Sequence, residues 1–153
     1  MAFRLTQSEA RALGVKIPAA PRRKFHNRPG YLDEIHFDSQ LELRRYAYLI
    51  HVEMAKKIDQ LQVHPKFPLY GSSGVEDGAR PVCVGFYEAD FAYRVVEQRR
   101  NLVEDTKGMV LPLYVMKRRL FVANYPELQL MEVRQCRGRW ISQPVTVLSV
   151  ERN

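Results

Sequence analysis

The chain has 153 residues, of which 46% are hydrophobic, 27% charged and 10% aromatic. That is enough for one domain with a buried core, and it excludes a disordered, collagen-like or disulfide-stapled chain. Lys and Arg number 24 against 17 Asp and Glu, a net charge of +7, which favours a polyanionic partner without separating nucleic acid from a membrane surface. Cys83 and Cys136 stand far apart and outside any Cys-x-x-Cys pair, which argues against structural zinc and fits a reducing, cytoplasmic compartment. No basic-then-apolar leader pattern is read at the start, and no run approaches the roughly 18 apolar residues of a membrane span.

Near the start, Thr6-Gln7-Ser8-Glu9 is a capping-box pattern and Gly14 follows at a helix stop, which predicts a short helix. Residues 17–30 lack apolar periodicity and carry Arg22, Arg23, Lys24 and Arg28 among prolines, so residues 1–30 are expected to form a short helix and a basic arm preceding a domain over 31–153. Such an arm serves either as a solvated tether or as a phosphate contact.

From Ser39, the residues Leu43, Ala47, Ile50, Met54 and Ile58 recur at helical spacing and predict a helix of about five turns. Leu61, Val63, Phe67 and Leu69 then alternate with polar residues as a strand whose Pro65 and Pro68 suit an edge, and residues 71–78 read as a loop. A second strand is expected over Val82–Val96, a hairpin turn around Glu97–Asn101 and a third strand over Leu102–Lys107. Leu113, Met116, Leu120 and Ala123 predict a second helix, followed by strands over Leu128–Val133 and from Trp140, the latter interrupted by Pro144. Phe86, Tyr87, Phe91, Tyr93 and Trp140 are expected in the core. The order from Ser39, helix, three strands, helix, strand, predicts an α/β (α+β) fold with a mixed sheet flanked by helices.

The third strand places Asp105 and Lys107 on one face, about 7 Å apart. A two-residue hairpin loop sets Asp90 opposite Lys107 and Ala92 opposite Asp105; any even-length loop keeps Asp90 on their face, whereas an odd one aligns it with Glu104. Two carboxylates and a lysine meeting there suit metal-assisted phosphodiester hydrolysis: hard oxygen ligands hold Mg²⁺, and a lysine orients the attacking water or balances developing charge. The Thr106 carbonyl is a further candidate oxygen ligand. Glu42, beside the Leu43 stripe, is a third candidate acid, with a competing role as the far end of the Ser39-Gln40-Leu41-Glu42 capping box.

Phe37-Asp38-Ser39 with Glu42 and Arg44-Arg45-Tyr46, His64-Pro65-Lys66-Phe67, Ala89-Asp90-Phe91, Val103-Glu104-Asp105-Thr106-Lys107-Gly108 and Lys117-Arg118-Arg119-Leu120-Phe121 together resemble a small phage-encoded nuclease-like family of the PD-(D/E)XK, or restriction endonuclease-like, superfamily. The resemblance spans Phe37 to Val133. It implies an αβββαβ core, Mg²⁺ or Mn²⁺ held by Glu42, Asp90 and Asp105, and Lys107 as the catalytic lysine. Ala89 stands where the proline of the superfamily's name is found.

The implied activity is metal-dependent DNA hydrolysis, with branched or duplex DNA as substrate and a homodimer as one way to cut two strands. Arg22, Arg23, Lys24, Arg99, Arg100, Lys117 and Arg118 are candidate DNA contacts, while Arg118 and its neighbours also suit a solvated helix face. His64 is expected to be structural. A non-catalytic DNA-binding module and a phage structural or host-interaction protein are the competing classes.

Overall fold

The computed structural model describes residues 29–72, 80–107 and 111–146. The expected N-terminal helix, Arg22, Arg23 and Lys24 of the arm, most of the 71–78 loop, Gly108 and the chain beyond Thr146 lie outside these residues. A short hairpin, β1 (Gly30–Leu32) and β2 (Ile35–Phe37), precedes helix α1 (Gln40–Met54). Then come β3 (Ile58–Val63), β4 (Lys66–Ser72), β5 (Pro81–Glu88), β6 (Phe91–Val95) and β7 (Arg100–Thr106), followed by α2 (Pro112–Asn124), β8 (Gln129–Cys136) and β9 (Arg139–Pro144).

Five strands form the central sheet in the order β3-β6-β7-β8-β9, with β7 and β8 parallel and the other neighbours antiparallel. The α1-β3-β6-β7-α2-β8 sequence is the expected helix, three strands, helix, strand, with a β4–β5 hairpin inserted after the first strand. The protein is therefore a mixed α/β domain. Phe91 and Tyr93 pack against Tyr46 and Leu49 of α1, while Val103 and Leu130 pack with Phe121 of α2, so each helix seals one apolar side of the sheet. No helix among the described residues is long and apolar enough to cross a membrane.

Several boundaries differ from the periodicity. Helix α1 stops at Met54, because Lys56 adopts φ 57° and folds its N–H back to Glu53 O at 2.8 Å; Ile58 is buried, but in β3. The buried face of α1 is Arg45, Tyr46 and Leu49, and Met54 is exposed. The strand expected across residues 61–70 divides at His64-Pro65, where His64 has φ 51°, and its halves join different sheets. The strand expected over 82–96 likewise divides at Ala89-Asp90. On α2, Phe121 faces inward while Leu113 and Met116 are exposed, and Phe86, expected in the core, is also exposed.

Candidate functional site

Strands β6 and β7 decide where the acids lie. Their loop has four residues rather than two, pairing Val95 with Arg100 and Phe91 with Glu104. The even length preserves the expected parity, but the register shifts by two, so its extension brings Asp90 beside Asp105 rather than Lys107. The chain leaves the sheet at Asp90. Its amide donates to Glu104 O at 3.0 Å, and its Oδ2 accepts hydrogen bonds from Thr106 N and Thr106 Oγ1 at 2.5 and 2.7 Å.

Helix α1 supplies Glu42. Ser39 is the N-cap; its hydroxyl accepts from Glu42 N at 3.2 Å and donates to Glu42 Oε1 at 2.7 Å. The capping role is therefore real. It also fixes the carboxylate in an open cleft of about 590 Å³ lined by Ile35, His36, Asp38, Glu42, His64, Asp90 and Lys107 among others. Burial, followed by the negative charge of Asp90, raises the Glu42 pKa to about 7. His64 Nε2 stands 4.0 Å from Glu42 Oε2, and the His64 amide donates to Asp90 O at 3.0 Å.

Asp105 does not line the cleft and lies behind Lys107, which does. It is 1% exposed, accepts a hydrogen bond from the Tyr87 hydroxyl, and has Lys107 Nζ 3.3 Å from its Oδ1. Burial raises its pKa, with Lys107 opposing the shift. Lys107 lines the cleft with the two wall acids and lies 4.5 Å from the Tyr114 ring centroid, so it joins Asp105 to that lining. The parallel ladder sets Glu132 of β8 beside Asp105, and Glu132 pairs with Arg118.

The structure thus brings Glu42, Asp90 and Lys107 to one cleft and joins Asp105 through Lys107. Thr106, 6% exposed, touches Asp90 through its amide and hydroxyl. Among the described residues, no three Asp, Glu, His or Cys side chains form a group able to hold a metal ion. Of the basic candidates, Arg99 occupies the β6–β7 turn with φ 51° and Arg100 opens β7, both exposed. Lys117 is exposed with Nζ 3.4 Å from Phe86 O. Arg118 is only 23% exposed in its side chain and is engaged by Glu132, so it departs from the solvated face that its neighbours Lys117 and Arg119, both exposed, do form.

Sequence reasoning missed Tyr87, Tyr114 and Glu132, the surroundings of Asp105. Tyr87 and Tyr114 lie on elements far apart in the chain, and only the pairing of β8 with β7 brings Glu132 there. His64 had a signal, the His-Pro break in a strand pattern, which marks a turn without showing what the turn faces.

No curated protein and no solved structure matches the chain. A family model does match, over residues 22–139, from the basic arm to the start of β9, and the chain belongs to that family, described as "Protein of unknown function (DUF1064)".

Proposed function

We propose that the protein is a Mg²⁺- or Mn²⁺-dependent DNA endonuclease of the PD-(D/E)XK type. The observation that carries this reading is the proximity of Glu42 and Asp90, with Lys107, in one open cleft: burial first, and the charge of Asp90 second, raise Glu42 to about 7, and a divalent cation would offset the cost of holding the two charges there. The donor set is of the right kind, since Mg²⁺ is commonly held by one or two carboxylates, with waters and substrate phosphate completing its shell. Glu42 and Asp90 would hold it from the wall, with Asp105 and the Thr106 carbonyl, both behind the lining residues, as the further oxygen donors proposed. When bound, the ion polarises the phosphoryl group and lowers the pKa of a water.

The chain's own residues do the rest. Lys107, oriented by Asp105, places its ammonium where it directs the attacking water and balances charge on the phosphate. Tyr87 and burial hold Asp105 still. Ser39 fixes Glu42, and Thr106 fixes Asp90. Arg22, Arg23, Lys24, Arg99, Arg100 and Lys117 grip the phosphate backbone, and the +7 charge draws it in. Arg118, tied to Glu132, acts by shaping the pocket around Lys107.

Cleavage is tested with purified protein on single-stranded, duplex, flap and four-way DNA, with Mg²⁺, Mn²⁺ or chelator. Metal-dependent cleavage, greatest on branched DNA and lost in Asp90→Ala and Asp105→Ala, is expected; activity persisting in both variants overturns the assignment. One observation favours a second reading: Asp105 is almost wholly buried and already engaged by Tyr87 and Lys107, as suits a DNA-binding module without turnover. Tight, salt-sensitive binding without cleavage under any metal supports that reading.

A further inference from the structure

At the lip of the cleft, Tyr31 and His36 are cross-strand partners in the β1–β2 hairpin. Gly30, Leu32, Ile35 and Phe37 share the opposite parity; Phe37 is fully buried, and Leu32 and Ile35 pack against the same core. Gly30 lies so close to α1 that a Cβ there would stand 2.4 Å from Leu43 Cδ1. The two-residue turn, Asp33-Glu34, takes positive φ at both positions (51° and 64°), as a type I′ turn requires. Tyr46, buried on α1, neighbours Asp33, and burial with that charge raises its phenol pKa. The hairpin is therefore fastened to α1, and its outer face presents two rings side by side.

Those rings are open. Tyr31 is 73% exposed, its ring centroid is 4.9 Å from that of His36 at an interplanar angle of 61°, and the His36 side chain is 46% exposed with Nδ1 3.6 Å from Asp38. His36, Asp38 and Ile35 line the same cleft as Glu42, Asp90 and Lys107. A solvent-facing aromatic beside a cleft lined by Lys107 combines the two elements of single-strand recognition: an open π face for a base and a cation for the phosphate.

We propose that the Tyr31–His36 pair is a base-stacking platform that receives an unpaired nucleotide next to the phosphate held in the cleft. Bases inside a duplex have no free face to offer, so the platform selects single-stranded or branch-point DNA over continuous duplex. This rests on the nuclease reading for the meaning of the cleft, but the stacking can be measured without cleavage.

The test uses the full chain in chelator and oligonucleotides carrying 2-aminopurine, either unpaired or within a duplex. Binding of the unpaired strand is expected to quench the fluorophore. Tyr31→Ala should abolish the quench and weaken binding about 10-fold or more, while Tyr31→Trp retains both. The side chain is exposed, so circular dichroism should show both variants folded. Undiminished affinity and quenching in Tyr31→Ala overturn the platform, as does equal Tyr31-dependence on continuous duplex or absence of DNA binding altogether. Tyr31-dependent quenching without cleavage under Mg²⁺ or Mn²⁺ leaves the platform standing and removes the nuclease. Cleavage indifferent to Tyr31 does the reverse.

Discussion

Arg45 and Glu104 form a two-pronged ion pair in the interior, with Arg45 Nε 2.8 Å and Nη2 2.6 Å from the two carboxylate oxygens. Arg45 is 5% and Glu104 1% exposed. The Tyr93 hydroxyl donates to the same carboxylate, and the guanidinium lies 5.0 Å from the ring centroids of both Tyr48 and Trp140. One side chain thus ties α1 to β6, β7 and β9. It also sets the position of α1, and hence of Glu42 one turn earlier, against the strand that carries Asp105.

Arg45→Ala is expected to lower unfolding free energy by about 3–5 kcal/mol, since it strands a buried carboxylate. Urea denaturation checks this. Arg45→Met with Glu104→Leu, which removes both charges, should be markedly less damaging than the single change, because no unpaired ion is left behind.

Glu42 gives the metal-free protein a defined pH response. Its pKa is raised from 4.5 to about 7, so between those values the folded state holds a proton that the unfolded chain has lost. The stability contributed by this group is complete below about pH 4.5, falls as pH rises and is lost above about 7. Allowing for solvent screening at this partly exposed carboxylate, the change is on the order of 2–3 kcal/mol. Glu42→Gln should flatten the decline, measured by chemical denaturation in chelator across pH 4–8.

Divalent cation should offset the cost of holding Glu42 and Asp90 charged in one cleft. At pH 8, Mg²⁺ or Mn²⁺ at about 100 times its dissociation constant is expected to stabilise the fold by about 2.7 kcal/mol. Asp90→Asn should remove most of that gain. A melting temperature unmoved by either metal at millimolar concentration counts against the cleft as a cation site, irrespective of any cleavage assay.

Lys107 and Tyr87 separate chemistry from support. Lys107→Met should reduce single-turnover cleavage by about 10²–10³-fold with little change in DNA affinity. Tyr87→Phe removes a hydroxyl that donates to a buried carboxylate, and is expected to cost about 1–3 kcal/mol of stability with a smaller loss of rate. Equal loss of rate in both variants would show that Lys107 acts only through the packing around Asp105.

The sheet was legible because strand parity is local. The alternation through Tyr87, Phe91 and Tyr93 marked the buried residues, and an even-length turn was enough to put Asp90 near Asp105 whether it held two residues or four. The helices were less legible. A stripe at three-to-four spacing can be drawn through several faces, and in α2 the one through Leu113 and Met116 is exposed, because Phe67, Tyr87 and Tyr125 gather around Phe121 instead. His64 and Asp90 ended strands that looked continuous, since the β4–β5 hairpin must turn out of the central sheet at both points.

By itself, the sequence determined the mixed α/β order, the basic excess and the residue types from which the site is built, because hydrophobic period, capping and charge act over a few residues. Tertiary structure alone decided which carboxylates share a cleft and which one is sealed beneath it. Glu42 meets Asp90 where Arg45 and the Tyr46–Leu49 face hold α1 against the sheet, and Asp105 is buried where Tyr87 bonds to it and β8 pairs beside it. Those are contacts between segments distant in the chain, and no local pattern encodes their distances.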